Sequence, residues 1–214
     1  MVEPTDTRIP PGVLVAGTTK RDDVRDLALD GAMDRYARGE DTAFDELYVR
    51  GAPRVHRFLL RLSGSRTLAD DLTQETFLRV HRARGSFGRG AAAVPWILAI
   101  GRNVFRDHVR RARARPVTAE ASRMDDDCAQ THASPETRGD EALAGREMLE
   151  IVRSTLSGLP VLQREAFVLL RFEGLSVAEA AQIVGTTEGA LKVRAFRAYE
   201  ALRKALGDFA EGER

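Results

Sequence analysis

The stretch Leu175–Leu202, LSVAEAAQIVGTTEGALKVRAFRAYEAL, constrains the fold more than any other part of the chain. Ser176 and Glu179 stand three residues apart at the head of an apolar run. At that spacing a Ser hydroxyl and a Glu carboxylate cap each other's backbone amides and start a helix. Gly185 follows where a turn needs a left-handed residue, and Thr186 and Thr187 supply hydroxyls suited to the cap of a second helix. Ala181 is small where two helices must cross, and Leu191 is placed to plug the second helix onto the first. At helical spacing Leu191, Ala195, Ala198 and Leu202 face inward, while Lys192, Val193, Phe196 and Arg197 face the other way. Two arrangements use such a pair of helices. One is a helix-turn-helix that reads base edges with the first turns of its second helix while basic residues hold phosphates. The other is an αα-hairpin that only packs. The basic outer face favours the first.

Composition narrows the rest. The chain has 214 residues, 43% hydrophobic and 30% charged with few aromatics, which suits one or two helical domains rather than a sheet protein. Net charge is only +1, so affinity for nucleic acid must come from local basic patches. The single Cys128 excludes an intramolecular disulfide and, with no His or Cys at ligand spacing, leaves no metal site; no cofactor is expected. No apolar run reaches the roughly 18–20 residues of a membrane span, and the short run at Val13–Ala16 is no signal-peptide core. These features read as a cytoplasmic protein.

Residues 1–30 lack a clear period and read as a disordered extension, and residues 115–140, rich in Pro, Thr, Asp and Ser, read as a flexible linker. Between them lies one helical block, and a second runs over 141–210. In the first block Phe44, Leu47, Tyr48, Val55, Phe58, Leu59 and Leu62 recur at three- and four-residue steps, and Pro53 either kinks that helix or splits it. Thr67 and Asp70 form a T-x-x-D capping signature before DLTQETFLRVHRA. On that helix Leu68, Ala69, Leu72, Thr76, Val80 and Ala83 point inward, opposite Asp71, Gln74, Glu75, Leu78 and Arg82. A Leu among acids and amides suits a partner surface, and a solvated face with one stray Leu fits as well.

The next helix, from about Ala92 to Arg113, buries Ile97, Ile100, Gly101, Val104, Phe105 and His108 along one arc. Trp96, Ala99, Asn103, Arg106, Arg110 and Arg113 fall on the opposite line. An aromatic can stack on an unpaired base, an amide can pair with base edges and arginines can track phosphates. A basic solvated helix with Trp96 held in the core is the plainer alternative. Phe87, in the glycine loop before it, suits packing better than lining a base pocket, and the loop lacks the Lys-Ser/Thr of a phosphate-binding P-loop.

The run FDELYVRGAPRVHRFLLRLSGSRTLADDLTQETFLRVHRARGSF, with VPWILAIGRNVFRDHVRRARAR after it, resembles the second region of a bacterial extracytoplasmic-function (group IV) sigma factor. LSGLPVLQREAFVLLRFEGLSVAEAAQIVGTTEGALKVRAFRAYEAL resembles the fourth region of the same family, in the family's order. The resemblance covers most of Thr42–Arg113 and Thr155–Leu206; the family's first and third regions are absent. It implies an all-α fold of two small helical domains, region two over 31–114 and region four over 141–210. It also implies a promoter-specificity subunit with no catalysis of its own, monomeric outside its complexes with core RNA polymerase, promoter DNA and an anti-sigma factor. By the same resemblance Asp71, Gln74, Glu75 and Leu78 grip the polymerase, and Phe87, Trp96 and Asn103 capture a flipped −10 base. Arg102, Arg106 and Arg110 would follow the strand backbone. Lys192, Phe196 and Arg197 match the −35 readers, Arg194 matches a phosphate contact, and Thr187 opens their helix. Val193 replaces the family's usual Ser and removes a hydroxyl from that surface. Asp125, Asp126 and Asp127 in the linker resemble a nucleic-acid mimic, although a solvated charge run is the simpler reading. A stand-alone dimeric helix-turn-helix regulator is the alternative, and it leaves the Trp96–Arg113 stripe unexplained. An enzyme with a DNA-binding tail fits less well, because the histidines and carboxylates form no nucleophile–base constellation.

Overall fold

The computed structural model describes residues 26–114 and 139–212, with the backbone alone for 139–146 and 208–212. Within these residues lie eight α-helices, one 3-10 turn and no strand. The helices are α1 (Leu27–Ala37), α2 (Ala43–Ser63), α3 (Arg66–Ala83), α4 (Ala93–Ala114), α5 (Gly139–Gly158), α6 (Val161–Arg171), α7 (Val177–Val184) and α8 (Glu188–Gly212). Asp125, Asp126, Asp127 and Cys128 lie outside the described residues.

Helix α1 begins inside the stretch read as an extension. The Asp26 carboxylate accepts hydrogen bonds from the Ala28 and Leu29 amides, both at 3.0 Å, and so caps the helix. Leu29, Ala32, Met33 and Tyr36 then bury one face. Helix α2 runs unbroken through Pro53. The carbonyl that Pro53 leaves without an amide belongs to Val49, a residue 72% exposed, where water can replace the bond.

The cap of α3 is not the Thr67 signature. Ser65 Oγ accepts from the Leu68 amide at 3.3 Å, and Arg66 and Thr67 are already helical. Asp70, the other half of the supposed signature, pairs with His56 Nε2 at 3.0 Å. Pattern alone could not separate two hydroxyls two residues apart; only the extended backbone of Ser65 (φ −120°, ψ 129°) marks it as the cap. Ser65→Ala is therefore expected to cost about 1 kcal/mol in urea unfolding. The exposed Thr67→Ala should stay within about 0.5 kcal/mol, and equal losses would return the cap to Thr67.

Helices α3 and α4 approach closely at Gly101, where an added Cβ would meet Thr76 Oγ1 at 3.5 Å. Thr76 can be buried there because its hydroxyl donates to the Leu72 carbonyl at 2.6 Å.

In the second half the helix-turn-helix forms as read. Ser176 Oγ accepts from the Glu179 amide at 3.2 Å, and Glu179 Oε2 accepts from the Ser176 amide at 2.9 Å. Gly185 closes α7 in the left-handed region (φ +67°), and Thr187 Oγ1 accepts from the Ala190 amide at 3.2 Å at the start of α8. Ala181 and Leu191 are buried at the crossing.

The two halves also pack on each other. One apolar cluster runs from the core of α1–α4 into Ala166, Val168, Leu169, Leu175, Ala180, Ala181, Val184 and Leu191. Helix α2 meets α5 and α6, and α4 meets α7. A reading of two domains on a tether did not include this boundary.

Candidate functional site

Three helix faces carry the residues singled out in the sequence. On α3, Ala69, Leu72, Thr76 and Val80 are buried as their spacing requires, joined by Thr73 and Phe77. Asp71 and Gln74 are exposed on the other side, and Leu78 is a half-exposed apolar side chain one turn further along α3. Glu75 is held more firmly. Arg79 Nε donates to Glu75 Oε1 at 2.8 Å, while Arg79 Nη1 donates to Asp107 Oδ2 on α4 at 2.8 Å. The Arg79 guanidinium holds the Asp107 carboxyl below its ordinary range despite partial burial. The three side chains stitch α3 to α4, so the acidic face sits on a rigid two-helix frame.

On α4 the spacing also holds. Ile97, Gly101, Val104 and Phe105 are buried, with Ile100 and His108 partly so, while Asn103, Arg110 and Arg113 are exposed. Phe87 is buried, and its ring meets Trp96 edge-on with centroids 5.3 Å apart and planes at 73°. The structure thus brings Phe87 and Trp96 together as an aromatic pair, with Phe87 in a packing role and Trp96 half-buried on its outer side. Arg110 pairs with Asp107 at 3.0 Å and otherwise projects into solvent.

Arg102 and Arg106 are placed differently from Arg110. Arg102, only 11% exposed, donates through Nε and Nη2 to Glu165 Oε2, both at 3.2 Å, and through Nη1 to the Ile183 carbonyl at 3.3 Å. Arg106 Nε lies 3.9 Å from Glu165 Oε1. Glu165 is on α6 and fully buried; burial pushes its carboxyl above the ordinary range, against the opposing pull of Arg102 and Arg106. Nearby, Arg54 Nε donates to Glu173 Oε2 at 2.9 Å, Arg61 lies 3.6 Å from Glu173 Oε1, and the Arg61 guanidinium sits 4.4 Å above the Phe172 ring. Arg164 donates to the Leu62, Ser157 and Leu159 carbonyls. Sequence reasoning passed over Glu165, Glu173 and Arg164. Their one signal was charge inside the apolar run of α6 and the turn after it, which shows burial only once the partners are placed.

On α8, Leu191, Ala198 and Leu202 are buried, and Lys192, Val193, Phe196 and Arg197 form an exposed face. Val193 and Phe196 are each half-exposed, three residues apart on the same face of the helix. Thr187 stands exposed at the helix start, and Arg194 is half-buried beside this face. The arrangement offers apolar contact flanked by cations on a helix free to enter a groove.

Comparisons with known proteins give the family. Residues 47–115 match the family model described as Sigma-70 region 2, and residues 149–202 match the one described as Sigma-70, region 4. The RNA polymerase sigma factor CarQ of Myxococcus xanthus is 40% identical over 82% of this chain and 96% of its own length. The ECF RNA polymerase sigma factor SigM of Mycobacterium tuberculosis is 35% identical over 92% of this chain and 91% of its own. Among solved structures, the sigma factor RpoE of Bartonella quintana, in complex with the anti-sigma factor NepR, superposes with a TM-score of 0.63. It is 27% identical and covers 77% of this chain and 96% of its own.

Proposed function

The chain belongs to the extracytoplasmic-function sigma factors of RNA polymerase, and from that membership we propose how its helices divide the work of starting transcription. Residues 31–114 bind core polymerase through Asp71, Gln74, Glu75 and Leu78 and hold the −10 element through α4 and the loop before it. There Phe87 backs a base pocket formed by Trp96 and Asn103, and Arg102, Arg106 and Arg110 follow the single strand. Residues 141–210 hold the −35 duplex through Lys192, Val193, Phe196 and Arg197, with Arg194 and Thr187 toward phosphates. The tether 115–140 lets the two units span both elements, and the first unit begins at the Asp26 cap of α1 rather than at residue 31. The protein supplies specificity and melting without catalysis of its own, and works in the cytoplasm where polymerase is. The complex of RpoE with NepR supports control by an anti-sigma factor.

The observation that carries this reading is the exposed face of α8: two half-exposed apolar side chains between Lys192 and Arg197, on the second helix of a helix-turn-helix. Such a face can reach base methyls and phosphates together, each good base contact contributing about 1–3 kcal/mol. Melting is more expensive, a few kcal/mol for each unstacked base, and stacking on an aromatic recovers about 1–3 kcal/mol of it. Trp96 is half-buried against Phe87, so its ring is held in place while part of it stays accessible.

The test is transcription in vitro with core polymerase on a genomic DNA pool, followed by sequencing of start sites. Specific initiation is expected; its absence overturns the proposal, and tight specific duplex binding by the chain alone favours a stand-alone regulator. On the promoter so found, Trp96→Ala and Asn103→Ala should slow opening roughly tenfold with closed-complex affinity retained. Arg197→Ala should weaken the closed complex by roughly tenfold. Equal loss of closed-complex affinity in all three contradicts the division between α4 and α8.

A further inference from the structure

The loop before α4 is shaped from outside itself. Ala91 and Ala92 carry no side chain that can cap a helix, and Pro95 in the first turn has no amide. The cap comes instead from α1, where Asp30 Oδ1 accepts from the Ala93 amide at 2.7 Å. One turn further along α1, Asp34 Oδ1 accepts from the Gly90 amide at 3.3 Å. Gly90 takes the left-handed region (φ +71°) in a turn that the Ala91 amide closes on the Gly88 carbonyl at 3.0 Å. At the other end of the loop Arg84 donates to Asp41, just past α1, and its guanidinium sits 4.9 Å from the centre of the Tyr36 ring. We propose that α1 is the template of the −10 loop: Asp30 and Asp34 are positioning residues that fix the path of residues 87–93, so that Phe87 and Trp96 meet a base in a preformed pocket. This inference rests on the assignment of Phe87, Trp96 and Asn103 to the −10 base.

Three observations favour positioning over packing alone. First, Asp30 and Asp34 stand four residues apart, so both leave α1 on one side, next to the face that buries Leu29, Met33 and Tyr36. Second, both bonds go to backbone amides. They fix the path of the chain whatever side chains it carries, and a charged acceptor makes them stronger than neutral bonds. At Ala93 the carboxylate also meets the positive end of α4. Third, the anchors bracket the aromatic pair. Phe87 lies between the Arg84 and Gly90 anchors, and Trp96 lies in the turn of α4 that Asp30 caps, with the two rings 5.3 Å apart. Gly85, Gly88 and Gly90 give this loop more backbone freedom than other residues would. Anchors on α1 remove that freedom during folding, so little ordering is left for the moment of base capture. A pocket held this way keeps its shape for one base over another.

Trp96 is the single tryptophan of the chain, so its fluorescence reports on the loop in the free protein, without polymerase or DNA. Asp30→Ala with Asp34→Ala should raise acrylamide quenching of Trp96 about twofold, with helix content by circular dichroism unchanged. With core polymerase, the same full-length variant is then given a promoter library randomised over the −10 element. Its preference for the favoured base at the captured position should fall about tenfold, a change that lost stability alone does not produce. Asp30→Asn with Asp34→Asn keeps an acceptor oxygen at both positions and should restore both readouts. Unchanged quenching with helix content retained overturns the template. Raised quenching with unchanged base preference overturns it as well, because the shape of the loop then does not govern the choice of base. Trp96→Ala on the same library separates that failure from a failure of the pocket. If it too leaves the preference unchanged, the base is held elsewhere, and the pocket assignment falls together with the proposal. Should the double variant lose helix content, Asp34→Ala alone removes the anchor at Gly90 without touching the end of a helix. It must then raise quenching and lower the base preference by itself, and no change in either overturns the proposal.

Discussion

Leu78→Asp is expected to reduce promoter-specific transcription by about a hundredfold or more while leaving thermal unfolding where it is. Leu78 is 52% exposed on α3, so the folded chain does not depend on it and the substitution should fall within about 0.5 kcal/mol of neutral. A partner helix laid along Asp71, Gln74 and Glu75 would cover it. An aliphatic side chain at the centre of a desolvated contact can carry 2 kcal/mol or more, and a carboxylate there adds the cost of a buried, unpaired charge. Together these exceed about 3 kcal/mol, which is more than a hundredfold in affinity. Glu75 should be more forgiving, because Arg79 already satisfies it. The check is pull-down of core polymerase and run-off transcription for the variant beside the parent chain. Full polymerase binding by Leu78→Asp would remove α3 as the contact and return Leu78 to a solvated face.

How well each of these faces could be read from sequence depended on how local its cause is. The buried sides of α3, α4 and α8 follow from a period of 3.6, and Leu72, Val104 and Leu191 lie where that period puts them. The capping box of Ser176 and Glu179 and the left-handed Gly185 are equally local, and both appear in the structure. Local pattern failed where two groups offered the same chemistry, as with Ser65 and Thr67 before α3. It also failed at the start of α1, whose buried Leu29, Ala32, Met33 and Tyr36 straddle the boundary read at residue 30 and whose burial depends on packing against α2 and α4. The charged boundary was beyond it altogether. Glu165 meets Arg102 across 63 residues of sequence and Glu173 meets Arg54 across 119, so no spacing rule connects them. For the same reason Arg102 and Arg106 read simply as cations of a DNA-facing helix, although Arg102 is bonded to Glu165 of the other half and Arg106 lies 3.9 Å from it.

Leu191 and Phe196 lie five residues apart on α8 and should fail in opposite ways. Leu191 is fully buried where α8 crosses α7, within the apolar cluster that continues into α4. Leu191→Ala removes that plug and leaves a cavity, at an expected cost of about 2–5 kcal/mol. Since α7 packs on both α8 and α4, the loosening should reach the first half and broaden the unfolding transition rather than only shift it. Phe196 is 50% exposed on the opposite face, and Phe196→Ala should leave urea unfolding within about 0.5 kcal/mol of the parent. Its loss should instead appear in binding of the −35 duplex by the polymerase complex, by about 1–3 kcal/mol, or roughly 5- to 150-fold. Urea melts and duplex binding measured on both variants decide the matter. If Phe196→Ala proves as destabilising as Leu191→Ala, then its face packs against protein and α8 is the second arm of a hairpin; if it is silent in both assays, the −35 contact lies on Lys192 and Arg197 alone.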